Sequence, residues 1–118
     1  MTSKYIYDEE RIIDELHHQS TVRQAFGRVI EHYSQPLYWQ IRRMVIDHDD
    51  ANDVLQNTFI KAWQSIDNFR GDAKLSTWLY KIAINESITF INKKKALNNV
   101  SIDDDDSFLV NNLEADKY

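Results

Sequence analysis

The sequence predicts an all-α protein, a compact bundle of four to five helices followed by an acidic, flexible C-terminal tail. The 118 residues include only two Gly and one Pro, whereas sandwiches and barrels use both residues in their many turns. Apolar residues recur at helical spacing over most of the chain. The absence of Cys excludes a disulfide framework, a Cys-ligated zinc site and a thiol nucleophile.

The first half of the chain predicts three helical segments. Asp8 is the expected N-cap of a first helix over residues 9–17, whose first turn is acidic. Thr21, with a Gln three residues later, predicts a capping box at the start of the second helix. Ser34 and Pro36 predict a break in that helix and a new first turn.

The second half predicts two further helices separated by a loop. The polar run at residues 47–50 offers caps for a helix whose apolar stripe extends to Ile66. Residues 67–75 form the predicted loop. Ser76 is the expected cap of a long last helix that ends near Lys95.

Charge is distributed unevenly along the chain. The net charge is −5, but residues 70–95 carry six basic and two acidic groups, and residues 96–118 carry one basic and six acidic groups. Local fields decide electrostatic steering, so the acidic total does not exclude nucleic acid. We predict a helical domain over residues 1–97 and an acidic linker over residues 98–118.

The last helix is predicted to have two faces, one for packing and one for a ligand. The ligand face is largely polar and consists of Thr77, Lys81, Asn85, Ile88, Asn92 and Lys95. Basic residues suited to a phosphate backbone are Arg70, Lys74, Lys81, Lys93, Lys94 and Lys95. Phe69 and Trp78 suit stacking on unpaired bases. The alternative stays open that the lysines serve the helix dipole and the aromatic residues the core.

The third helix carries a polar stripe of acids and amides. Its members are Asn52, Asp53, Gln56 and Asn57, at spacings that place them on one side. This pattern suits docking to a basic partner helix, and the alternative is a solvated face. A metal site at His48, Asp49, Asp50 and Asp53 is a weaker hypothesis, because the segment lacks the spacing and the Gly of a calcium loop.

Other classes of function find little support in the sequence. His17 and His18 are adjacent and point to different sides of a helix, so they do not form a metal pair. No Gly-rich phosphate loop or nucleophile elbow is evident, and we predict no enzyme activity, metal or cofactor. No segment approaches the ~20 apolar residues of a membrane span, and no secretory signal is present, which predicts a cytoplasmic location.

Taken together, the segments resemble the N-terminal domain of an extracytoplasmic-function sigma factor, known as region 2. The resemblance rests on residues 50–63, on Phe69-Arg70-Gly71, on residues 77–85 and on the lysine run. The family pattern reads D-A-E-D-L-x-Q-E-x-F-x-x-x-W, then F-R-G, then T-W-L-Y-x-I-A-x-N, then basic residues. The match covers about residues 8 to 97.

The resemblance implies a domain that binds bacterial RNA polymerase core and recognises and melts the promoter minus-ten element. It implies docking on the clamp coiled coil of the largest catalytic subunit through Asn52, Asp53, Gln56 and Asn57. The loop would hold a flipped base of the single-stranded non-template DNA, through Asn68, Phe69, Arg70, Gly71 and Lys74. The upstream edge of the element would be contacted by Thr77, Lys81 and Asn85. Trp78 matches the family Trp, as a stacking wedge or a core residue.

Several positions depart from the family pattern. Asn52 and Asn57 replace acids, which predicts weaker charge contacts to a basic coiled coil. Ile84, Thr89 and Asn92 stand where the family often has Arg, Asp and Arg, which bears on the affinity for phosphates.

The resemblance also implies features beyond the helical domain. Family members normally carry a second, helix-turn-helix domain, and we expect this chain to be one domain with a stub of linker. The acidic residues of 101–116 would suit the basic channels of polymerase, with a solvated tail as the alternative. The resemblance admits an anti-sigma factor as a further partner. The rival hypotheses are a small helical protein-interaction module without a DNA role and, more remotely, a metal-dependent enzyme.

Overall fold

The computed structural model describes residues 6–103 and is all-α, as predicted. The helices are α1 (Glu9–Leu16), α2 (Val22–Arg42), α3 (His48–Gln64) and α4 (Leu75–Asp103), with a short 3-10 helix (Ile66–Asn68) after α3. Helix α4 therefore continues past the end predicted near Lys95. Residues 104–118, which hold most of the predicted acidic linker, lie outside the described residues, and the domain boundary stays a prediction.

The start of α1 follows the prediction, whereas the start of α2 does not. The Asp8 carboxylate accepts a hydrogen bond from the Arg11 amide, at 3.3 Å. Thr21 makes no side-chain cap, so the predicted capping box is wrong. Its backbone is helical (φ −119°, ψ −9°) rather than extended, and its hydroxyl donates to the Glu15 carbonyl oxygen at 2.7 Å. The side chain therefore closes the turn between α1 and α2.

Helix α2 is continuous, so the break predicted at Ser34 and Pro36 is wrong. Proline inside a helix removes one hydrogen bond and costs about 3 kcal/mol. Pro36 lies on the exposed side, while Tyr33, Leu37 and Ile41 are buried on the other side. Burial of each such apolar side chain contributes about 1.5–3 kcal/mol, which outweighs the cost of the proline.

The ends of α3 and α4 show where local signals decide and where burial decides. Asp47 caps α3, and its carboxylate accepts from the Asp50 amide at 3.1 Å. The cap predicted at Ser76 is wrong, because α4 begins one residue earlier. Leu75 is 1% exposed and helical, and the Lys74 carbonyl oxygen accepts from the Trp78 amide at 3.1 Å. Burial of Leu75 thus sets the start of α4.

The core lies between α4 on one side and α2 and α3 on the other, with α1 packed against α2. The side chains at its centre are fully buried: Ile12, Leu37, Ile41, Val54, Leu75 and Leu79. Both ends of the predicted loop, Phe69 and Leu75, belong to this core. The packing of the bundle therefore fixes where the loop leaves the core and where it returns.

Candidate nucleic-acid and partner interfaces

The loop at residues 70–74, which we call the anchored loop, is exposed between two buried ends. Phe69 is 3% exposed and Leu75 is 1% exposed, whereas all five residues between them are exposed. The Phe69 ring packs against the Trp78 ring, with centroids 5.0 Å apart. The core thus presents this loop in one position while leaving its own side chains accessible to a ligand.

Gly71 gives the anchored loop its shape. Its φ is +86°, a left-handed conformation that side chains with a Cβ rarely adopt. A Cβ at this position would meet only the Ile13 side chain, at 4.0 Å. The requirement for glycine is therefore conformational and does not come from lack of space.

The candidate DNA contacts of the loop region divide into exposed and buried residues. Asn68, Arg70, Gly71 and Lys74 are exposed, as a binding role requires. The Phe69 side chain is buried, so it holds the loop and does not offer its ring to a ligand. Trp78, for which a wedge and a core role were both open, is half-buried against Phe69.

The predicted ligand face of α4 is exposed beside the anchored loop. Thr77, Lys81 and Asn85 are all exposed and lie one turn apart, about 6 Å along the helix axis. Ile88 and Asn92 continue this exposed face. The face offers a hydroxyl, an ammonium and an amide in a row, groups that bind phosphates, sugars and base edges.

The predicted lysine run does not form one basic patch. Lys93 is exposed, and Lys95 is half-buried and has a contact of its own. The Lys94 ammonium donates to the Asp50 carboxylate at 2.8 Å, which raises the pKa of Lys94 and joins α4 to the first turn of α3. The three lysines therefore have different surroundings.

The predicted partner-binding stripe on α3 is exposed at Asp53, Gln56 and Asn57. Asn52 is half-buried at the edge of this stripe, and its amide lies 3.2 Å from Nε2 of His48. Nδ1 of His48 is in turn 2.6 Å from the Tyr38 hydroxyl, on α2. This support for Asn52 crosses between helices, and no signal in the sequence indicated it.

The weaker metal hypothesis finds other partners for its residues. His48 bonds with Tyr38 and Asn52, and Asp50 pairs with Lys94. Within residues 6–103 no group of three or more His, Asp or Glu side chains is placed to hold a metal ion. Over the same part of the chain no helix combines the length and apolar character needed to cross a membrane.

Comparison with known proteins identifies sequence relatives. A family model described as sigma-70 region 2 matches residues 29–97. RNA polymerase sigma-H factor of Pseudomonas aeruginosa is 44% identical over 63 residues, which is 53% of this chain and 33% of the relative. ECF RNA polymerase sigma factor SigW of Bacillus subtilis is 41% identical over 71 residues, 60% of this chain and 38% of the relative. The chain thus spans about a third of the length of these curated relatives.

One solved structure is similar to most of the described fold. It is an NMR structure of an engineered region 2 of sigmaE in complex with GTAAAA, with 27% sequence identity and a TM-score of 0.68. The match covers 80% of this chain and 95% of that chain. The similarity therefore extends over nearly the whole of a protein that binds a short nucleotide sequence.

Proposed function

Since the chain belongs to the sigma-70 region 2 family, we propose that it binds RNA polymerase core and recognises and melts the promoter minus-ten element. Sigma factors are transcription initiation factors and not enzymes, in agreement with the sequence analysis. The observation that carries the proposal is an exposed loop, held at both ends by the core, beside the exposed polar face of α4.

The proposed docking surface for polymerase is the exposed stripe of α3. Asp53 offers a carboxylate, and Gln56 and Asn57 offer amides that donate and accept. These groups complement a basic helical partner, which we propose is the clamp coiled coil of the largest catalytic subunit. Asn52 has its amide close to His48, so it contributes from the edge of the stripe.

The proposed DNA surface begins at the anchored loop. Capturing a base from the duplex costs a few kcal/mol of stacking and pairing, and a fitted pocket offsets this cost. A loop with fixed ends meets the flipped base without first being ordered, so less free energy is lost on binding. The sigmaE relative in complex with GTAAAA supports a role in binding unpaired bases of the non-template strand.

The face of α4 extends this surface along the DNA. Lys81 supplies a charge for a phosphate, and Thr77 and Asn85 supply polar groups for sugar or base edges. Phosphate contacts position the helix, while bases that fit the loop provide selectivity. We therefore propose that α4 lies along the upstream edge of the element.

Further parts of the proposal concern the setting in which the domain works. Binding to polymerase and promoter DNA entails a cytoplasmic location. An anti-sigma factor is a candidate partner, because a protein that covers the α3 stripe would compete with polymerase. A rival function, an interaction module without a DNA role, is separated from the proposal by the experiments below.

Capture of the chain on immobilised RNA polymerase core tests the docking surface. Asp53→Lys reverses a charge in the stripe, and Gln56→Ala removes an amide. We expect each to weaken capture, by roughly tenfold or more for the charge reversal. The matched controls are Glu10→Lys on α1 and Gln24→Ala on α2, both at exposed positions. Equal capture of Asp53→Lys and Glu10→Lys would contradict the docking assignment.

Anisotropy titrations with a single-stranded oligonucleotide test the DNA surface. Lys81→Ala should lower affinity and reduce the slope of log K against log salt by about 0.7, the value for one lost phosphate contact on a single strand. Asn85→Ala should lower affinity with little change in slope. Lys61→Ala on α3 and Gln24→Ala on α2 are the exposed controls. Binding to polymerase without any binding to DNA would favour the interaction module.

A further inference from the structure

His17, to which the sequence analysis gave no function, connects α1 to the start of the anchored loop. Nδ1 of its ring lies 2.8 Å from the Ile13 carbonyl oxygen, and Nε2 lies 2.8 Å from the Phe69 carbonyl oxygen. The His17 and Phe69 rings are nearly parallel, at 19°, with centroids 6.3 Å apart. Since Phe69 directly precedes Arg70 and Gly71, His17 holds the backbone from which the loop departs.

The two acceptors around His17 identify the protonation state that fits this geometry. Both are carbonyl oxygens, which accept hydrogen bonds and have no proton to donate. A neutral imidazole has one N–H group, so one ring nitrogen would turn a lone pair toward an oxygen at hydrogen-bond distance. The imidazolium has two N–H groups and donates to both carbonyls. The contact to Phe69 is therefore complete only in the protonated ring.

Solvent and neighbouring charges reach the His17 side chain. It is exposed and lies at a surface cleft of about 540 Å³ that His18, Trp63 and Asp67 also line. On its own helix the nearest acid is Asp14, which lies 3.6 Å from Nε2 of His18. Asp67 faces it from the 3-10 helix, α3 contributes uncharged Trp63, and the charge that follows Phe69 is Arg70. The ring can exchange protons with solvent in this setting.

We propose that His17 is a positioning residue for the anchored loop, and that the loop binds unpaired bases best when the His17 ring is protonated. The inference rests on the proposed function, because it concerns how well the loop receives a base. Imidazole side chains ordinarily change charge between about pH 5 and 8, so affinity for a single strand should fall as pH rises through this range. The cause is loss of one of the two hydrogen bonds that hold the loop.

The experiment measures the affinity of the full chain for a single-stranded oligonucleotide between about pH 5.5 and 8.5, values that bracket the usual imidazole range. Native protein and the matched control His18→Gln should both lose about tenfold in affinity across this range, as expected for a charge-assisted hydrogen bond. His17→Gln should bind weakly at every pH. His17→Arg, which keeps N–H donors and charge, should bind well at every pH, with His18→Arg as the control for added charge.

A second measurement follows the loop directly and does not require DNA. The NMR amide signals of Arg70 and Gly71 should shift with protonation of His17 in native protein and in His18→Gln, and should not do so in His17→Gln. Circular dichroism identifies any variant that fails to fold. If no protein binds the oligonucleotide, the proposed function fails, and the NMR titration alone decides on His17. Native-like affinity and pH dependence in folded His17→Gln would overturn the inference.

Discussion

At the scale of single residues, the two glycines have opposite backbone requirements. Gly71 has φ +86° in the loop, whereas Gly27 lies inside α2, where a Cβ would have no neighbouring atom within 4 Å. The sequence predicted a loop around Gly71, but the sign of φ depends on how the core fixes the two ends of the loop. Composition and spacing carry no information on that constraint.

These two sites predict opposite changes in stability. Gly71→Ala should lower the free energy of unfolding by about 1–2 kcal/mol, because the left-handed conformation strains a residue with a Cβ. Gly27→Ala should raise it by about 0.5–1 kcal/mol, because alanine has the higher helix propensity. Urea unfolding of both variants measures the difference. A change of the same sign at both positions would contradict the backbone conformations described above.

Tyr33 gives a prediction for alkaline pH. Burial, followed by the nearby Glu9 carboxylate at 3.1 Å, raises the pKa of Tyr33 from 10.0 to about 12. The folded state thus favours the neutral phenol, and the stability that this contributes is present below pH 10.0 and is lost as pH rises through about 12. Absorbance titration should show one of the six tyrosines ionising late, and Tyr33→Phe should remove that step. A late step that persists in Tyr33→Phe would contradict the assignment.

At the scale of helices, start signals with a side-chain cap were predictable, and those overridden by packing were not. Asp8 and Asp47 cap α1 and α3 through local hydrogen bonds that the sequence encodes directly. Pro36 fails to break α2 because Leu37 and Ile41 are buried beside it, and burial of Leu75 moves the start of α4. These outcomes depend on contacts with other helices, which short-range patterns do not contain.

The lysine run of α4 gives a prediction at the same scale. The Lys94 ammonium is bound by Asp50 at 2.8 Å, whereas Lys93 is exposed. We expect Lys93→Ala to reduce affinity for a single-stranded oligonucleotide, and Lys94→Ala to reduce it less, because Asp50 offsets the charge of Lys94. Anisotropy at two salt concentrations measures both. A larger loss for Lys94→Ala would show that the ion pair opens on DNA binding.

At the scale of the whole molecule, the two proposed surfaces were predictable from periodicity, and their supports were not. Helical spacing alone placed Asp53 with Gln56 on α3 and Lys81 with Asn85 on α4, and the structure exposes all four. The hydrogen bond from His17 to Phe69 joins residues 52 positions apart. The bond between Tyr38 and His48 crosses from α2 to α3. Such contacts follow from tertiary packing, and no pattern within one helix reveals them.

The central claim is that the anchored loop and the face of α4 bind unpaired promoter bases. The most direct test compares the affinity of the chain for a single-stranded oligonucleotide containing GTAAAA, the sequence bound by the sigmaE relative, with its affinity for the same sequence as a duplex. We predict tighter binding of the single strand, because the duplex must first lose a few kcal/mol of stacking and pairing. Equal affinities, or tighter binding of the duplex, would contradict the claim.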